Sequence, residues 1–263
     1  MGIKKYSKLN RFLQVLPKGA IATTSWLHTI GISGQLLQKY KGSHWVEEVC
    51  NGVVKYPENE VDWTGVVYAL QSQLELHVHP AAKTALSVQG AGHFIPRGRK
   101  KVFLFAKTGE NLPVWLTKND WGVDFIIVRN TLFDPELKTG LKKETFDNIE
   151  VTISSRERAI FEVLYLIPKY QSFDESVLLM QNLTTLRPNI VQKLLENCNS
   201  IRVKRSFMVL AERENQDWFK ELKVNRVDFG KGKRSFYKGG YLHPKYQITV
   251  PETWKKENEE VLF

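Results

Sequence analysis

The chain has 263 residues, 42% hydrophobic and 25% charged, which fits one or two domains of ordinary globular composition and excludes wholesale disorder. No window approaches the roughly 18–20 consecutive apolar residues of a membrane-spanning helix, and the early charges Lys4, Lys5 and Lys8 precede no apolar stretch of the kind a signal peptide needs. The net charge is +10 and the only cysteines are Cys50 and Cys198, so a disulfide framework and a four-cysteine metal site are excluded, and the expectation is a basic cytoplasmic protein.

From the N-terminus, Tyr6, Leu9, Phe12, Leu13 and Leu16 recur at helical spacing after Ser7, a residue suited to capping. Pro17 ends that helix because it has no amide proton. Thr23-Thr24-Ser25 offers caps for a second helix with Trp26, Leu27 and Ile30 inward, closed by Gly31. Ser33 caps a third, with Leu36, Leu37 and Tyr40 inward and Gln35, Gln38, Lys39 and Lys41 outward. The β-prone runs 45–49 and 53–56 flank Asn51-Gly52, the preferred pair of a type I′ hairpin. Three helices and a hairpin predict a winged helix-turn-helix over residues 1–60.

Residues 61–263 are expected to form a second domain, α/β to about residue 153 and mainly helical beyond, so the fold class is α+β. A helix is predicted over 61–74, strands over 76–79, 102–105, 125–128 and 149–153, and a small-residue helix over 81–89. The runs 102–105 and 125–128 read as buried strands. Ser154 and Glu157 have capping-box spacing ahead of Ala159, Ile160, Val163 and Leu164. Pro188 opens the next helix. In the one after it, Val203, Phe207, Leu210 and Ala211 point inward, and Arg202, Lys204 and Arg205 outward. The tail ends in a β-prone run over 246–250, and the charged segment 252–260 is expected to fray.

Charge and motifs together point to nucleic acid. Residues 1–57 hold eight basic side chains against Glu47 and Glu48 alone, whereas residues 58–263 hold 30 basic and 26 acidic. A recognition helix would use Gln35 and Gln38 for adenine edges and Lys39 for guanine, with Gly34 allowing close backbone approach. Thr24 and Ser33 would offer hydroxyls and amides to phosphates, Lys41 a phosphate contact, and Lys55 a phosphate or minor-groove contact. A second basic surface is conceivable from Arg97, Arg99, Lys100, Lys101, the cluster 138–143, Arg202, Lys204, Arg205, Lys231, Lys233 and Arg234. Within it, 230–234 resembles a phosphate loop in composition but lacks the strand–loop–helix context of one. His77, His79 and His93 have no accompanying metal motif, and Glu47/Glu48 read as a pair without partners. No metal, cofactor or catalytic constellation is expected, so the chain does not read as an enzyme.

The segments 8–19, 25–27 and 31–40 resemble the N-terminal domain of AbiEi-type antitoxins. The likeness continues in order through 81–90, 153–160, 183–188, 203–205 and 239–251. It implies a bacterial antitoxin of a type IV toxin–antitoxin system, associated with abortive phage infection. By that resemblance a winged helix-turn-helix represses the operon at inverted repeats. A C-terminal domain counteracts a nucleotidyltransferase-like toxin of the AbiEii type without a stable complex, and Ser33, Gln35, Gln38 and Lys39 fall at recognition-helix positions. The turn Cys50-Asn51-Gly52 departs from the pattern, lacking a basic residue beside the glycine. The alternative reading is a winged-helix regulator with a ligand-sensing or RNA-binding second domain.

Overall fold

The computed structural model describes residues 8–92 and 98–255. Tyr6, Ser7, His93, Arg97 and the charged segment beyond 255 lie outside the described residues. The chain is mixed α and β with small sheets. It gathers into two compact units: described residues up to 80, 98–129 and 142–153 form the first, and 81–92, 130–141 and 154–255 the second.

The first unit begins with α1 (Lys8–Val15), β1 (Ala22–Thr23), α2 (Thr24–Thr29), α3 (Gly34–Gly42), β2 (Glu47–Cys50) and β3 (Val53–Lys55). Strands β1, β3 and β2 pair antiparallel in that order. The hydroxyl of Thr23 accepts the Trp26 amide to start α2, and that of Ser33 accepts the Leu36 amide to start α3. Between them Gly31 takes φ 88°, and Phe12, Leu16, Ile21, Leu27, Ile32, Leu37, Val53 and Val54 form the core. The hairpin departs from expectation. A type I′ turn needs positive φ at both central residues, and of this pair only Gly52 has it, at 83°. A bulge between Glu48 and Cys50 adjusts the register instead.

This unit does not stop at residue 60. Asp62 caps α4 (Trp63–Tyr68), which runs on as a π-helical turn over Ala69–Gln73. The side-chain amide of Gln73 accepts from the Thr23 amide at 2.8 Å and donates to the Ile21 carbonyl at 2.7 Å. It thus serves as a hydrogen-bonding neighbour for β1, whose backbone groups would otherwise be short of partners. At Gly65 a Cβ would sit 1.9 Å from the Gly19 carbonyl oxygen, so α4 lies backbone to backbone on the loop after α1. The chain continues through β4 (Val78–Pro80), α5 (Ala82–Val88), β5 (Lys101–Lys107), α6 (Trp115–Lys118), β6 (Asp124–Asn130), β7 (Leu141–Phe146) and β8 (Ile149–Ser154). Strands β4, β5 and β6 make one sheet, and β7 and β8 a hairpin. Strand β5 is buried from Val102 to Ala106, as its apolar run requires, but 125–127 in β6 is only half-buried. Strand β7 takes in the second half of the basic cluster 138–143, where Lys142 pairs with Glu144 and Lys143 with Glu150.

In the second unit α7 (Arg156–Tyr165) packs against α5, α8 (Phe173–Gln181), α9 (Pro188–Asn197) and α10 (Ile201–Arg213). Phe161 of α7 stacks on Phe207 of α10 at 4.4 Å between centroids. The cap of α7 is displaced by one residue from the sequence reading: Ser155 holds the cap position, while the Ser154 hydroxyl donates to the buried Glu162. Glu162 also accepts the Ala82 amide and pairs with buried Arg158, which reaches the Leu137 and Thr139 carbonyls. A buried charge is tolerable only with such partners. Two short 3₁₀ turns (Asp217–Glu221 and Val224–Arg226) lead to β9 (Arg234–Ser235), β10 (Tyr241–His243) and β11 (Ile248–Val250), which pair in the order β10-β11-β9.

Candidate nucleic-acid interface

Helix α3 is anchored through Leu37, 6% exposed, with Leu36 and Tyr40 half-buried on the same side. The spacing i, i+3, i+4 then puts Gln35, Gln38 and Lys39 on one opposite face, and all three are exposed, as are Ser33 and Gly34 at the helix start. No atom lies within 4 Å of a Cβ built on Gly34, so the backbone there is open to approach. Lys39 forms no ion pair among the described residues.

The remaining residues of this set are placed differently. The Thr24 amide donates to the Gly52 carbonyl at 2.9 Å, so it is not available to a phosphate. Lys41 reaches Glu48 of β2, and Lys55 pairs with Glu47 at 3.1 Å while donating to the Asn59 carbonyl at 3.0 Å. Lys55 thus faces a cleft shared with Val49, Glu58 and Asn59 rather than the hairpin tip. Glu47 and Glu48, read as partnerless, both have partners. The Glu47–Lys55 pair is cross-strand, and its register was within reach of the turn prediction apart from the bulge. The Glu48–Lys41 pair joins a helix to a strand, which strand periodicity cannot anticipate. Both pairs are largely solvated, so each adds at most about 1 kcal/mol to stability. Burial, followed by the carboxylate of Glu48, pushes the Cys50 thiol up and keeps it protonated. Tyr56 is pushed up to about 12 by burial and donates to the Phe12 carbonyl at 3.1 Å.

The second basic set does not form as drawn from sequence. Arg202, Lys204 and Arg205 do not point outward: Lys204 and Arg205 are 4% and 3% exposed, and Arg202 is half-buried. Arg202 donates to the Tyr165 and Ile167 carbonyls, and Lys204 to that of Asp228. Arg205 donates to the carbonyls of Phe229, Gly230, Gly232 and Gln247. Buried guanidinium groups satisfied by carbonyls are structural clamps. Their desolvation lowers the pKa of Arg202 and Arg205. Arg99 is held by Asp120 and Asp124, and Lys100 lies over the Trp63 ring. Lys101, Lys231, Lys233 and Arg234 remain exposed. His77 faces Glu110 and His79 the Phe105 ring. Among the described residues no group of three or more His, Cys, Asp or Glu side chains could hold a metal ion. No helix among them is long and apolar enough to cross a membrane.

The family model of the AbiEi antitoxin, a transcriptional regulator of type IV toxin–antitoxin systems, matches residues 99–251, and that of the AbiEi antitoxin N-terminal domain matches residues 5–97. The chain belongs to the AbiEi family. The crystal structure of the RV2827C protein from Mycobacterium tuberculosis is similar to this AbiEi chain at 11% identity and a TM-score of 0.58, covering 91% of this chain and 88% of that one. At that identity the likeness concerns the fold alone. No curated protein sequence matches the chain. In the AbiEi chain the N-terminal family model runs past residue 60, through α4, β4 and α5.

Proposed function

We propose that this AbiEi-family regulator binds operator DNA through residues 8–57, acting as a winged helix-turn-helix, and so represses its own operon. In this reading α3 enters the major groove and the Ser33–Gly34 start of the helix faces a phosphate. Gln35 and Gln38 meet adenine edges, and Lys39 meets a guanine edge. The observation that carries the proposal is the row Gln35, Gln38 and Lys39. It stands exposed on a helix pinned from behind by Leu37, in a stretch, residues 8–57, with six basic residues against two acidic. The operator is an inverted repeat, and the chain works in the cytoplasm without chemistry of its own. It counteracts a nucleotidyltransferase-like toxin without a stable complex.

The test is a fluorescence-anisotropy titration of the full chain against its promoter fragment and a scrambled duplex over a range of salt. Gln38→Ala should weaken operator binding by about 1–3 kcal/mol and leave scrambled DNA nearly unaffected. Lys39→Ala should also flatten the salt dependence. Equal affinity of the wild-type chain for both duplexes defeats the proposal. In cells the Gln38→Ala/Lys39→Ala chain should lose repression and still rescue growth against the toxin; loss of both would mean that neutralisation passes through DNA.

A further inference from the structure

The loop between Phe229 and β9 is built from the inside. Arg205 sends its guanidinium into the carbonyls of Phe229 (2.7 and 2.9 Å), Gly230 (3.0 Å) and Gly232 (2.6 Å), and ties them to the start of β11 through the carbonyl of Gln247, the residue before that strand (2.9 Å). Glycine is required for the path, since residues 230 and 232 have φ of 60° and 75°. A Cβ on Gly230 would also press on Ile201 at 3.0 Å.

Turning the carbonyls inward leaves the other half of each peptide unit outside. The Gly230 amide is taken by the Asp228 carboxylate at 2.7 Å, and the Arg234 amide by the Gln247 carbonyl at 3.0 Å. The amides of Lys231, Gly232 and Lys233 between them meet no acceptor among the described residues. Lys231 and Lys233 are exposed and form no ion pair there, and Arg234 lies alongside, its guanidinium on the Lys233 carbonyl. The amides of Lys231 and Lys233 belong to the peptide units whose carbonyls Arg205 turns inward, and such outward amides beside left-handed glycines form an anion-binding concavity. Two ammonium groups beside it add charge, and the half-exposed ring of Tyr237 adds a stacking surface close by in sequence.

We propose that residues 231–234 bind the phosphodiester backbone of a nucleic acid. The site is separate from α3 and is held in shape by the buried Arg205. Asp228 faces the loop with its charge committed to Gly230, so it shapes the turn at one end and leaves the amides of Lys231 and Lys233 open.

The experiment uses the full chain carrying Gln38→Ala/Lys39→Ala, so that the proposed reading helix contributes least. Labelled single-stranded RNA of about 20 nucleotides and an operator-free duplex of similar length are titrated separately near 0.1 M salt. Adding Lys231→Ala/Lys233→Ala should weaken RNA binding about 25-fold and flatten the salt slope by about 1.4, as expected for two phosphate contacts on a single strand. Inorganic pyrophosphate should compete in the parent and not in the loop variant. The control Lys107→Ala/Lys118→Ala removes the same charge from exposed positions elsewhere and should change affinity far less. Loss confined to RNA assigns the loop to single strands, and loss on both probes to phosphate backbone in general. Unchanged affinity in the loop variant, or an equal loss in the control, overturns the proposal.

Discussion

Glu157 offers the sharpest quantitative test of how the second unit is held together. Burial alone would raise its pKa. Hydrogen bonds from the Arg187 guanidinium, the Ser155 hydroxyl and the amides of Glu157 and Arg187 outweigh that and hold the carboxyl at about 2, against an ordinary value of 4.5. The geometry is that of a strong pair: Arg187 Nε donates to Oε1 at 2.8 Å and Nη2 to Oε2 at 3.0 Å, with the Arg187 amide on Oε1 at 3.1 Å. At about 1.4 kcal/mol per pH unit the shift corresponds to about 3.4 kcal/mol. Because the Arg187 side chain is 60% exposed, solvent screening reduces the expected value to about 2 kcal/mol. A depressed carboxylate contributes fully above its unfolded pKa and loses that contribution as pH falls toward its folded pKa. The Glu157→Gln chain should therefore be less stable by about 2 kcal/mol at pH 7, and the deficit should shrink from about pH 4.5 down to about pH 2. Urea unfolding at a series of pH values, with Arg187→Ala and the double variant completing a cycle, reads this directly. A deficit that stays constant from pH 7 to pH 3, or a coupling below about 0.5 kcal/mol, would refute the assignment of the shift to Arg187.

Three further outcomes follow from the same structure. Glu48→Gln should release Lys41 to solvent and steepen the salt dependence of DNA binding by about one unit, raising non-specific affinity about 5–10-fold at 0.1 M salt; gel shifts with scrambled DNA check it. Gly65→Ala forces a Cβ to within 1.9 Å of the Gly19 carbonyl and should cost about 3 kcal/mol, seen as a lower thermal midpoint and faster amide exchange over β1 and α4. Arg205→Met leaves the carbonyls of Phe229, Gly230, Gly232 and Gln247 without their donor and should destabilise by about 3 kcal/mol, with exchange rising first over 229–234.

Local chemistry in the sequence determined a good deal by itself. The caps Thr23 and Ser33, the break at Gly31, and the exposed row Gln35, Gln38 and Lys39 all follow from interactions within four residues, so periodicity and capping suffice to find them. Strand β5 and the apolar stripe of α10 were legible for the same reason.

What only tertiary structure decided were matters of partners distant along the chain. Arg202, Lys204 and Arg205 read as solvated because charged side chains usually are, yet carbonyls 24 to 42 residues from Arg205 supply the acceptors that let it be buried. The same applies to Lys41, claimed by Glu48, and to the Gln73 amide that ties β1 to the chain beyond residue 60. A side chain's burial depends on whether its hydrogen bonds can be met inside. That accounting closes only once segments remote in sequence have been brought together.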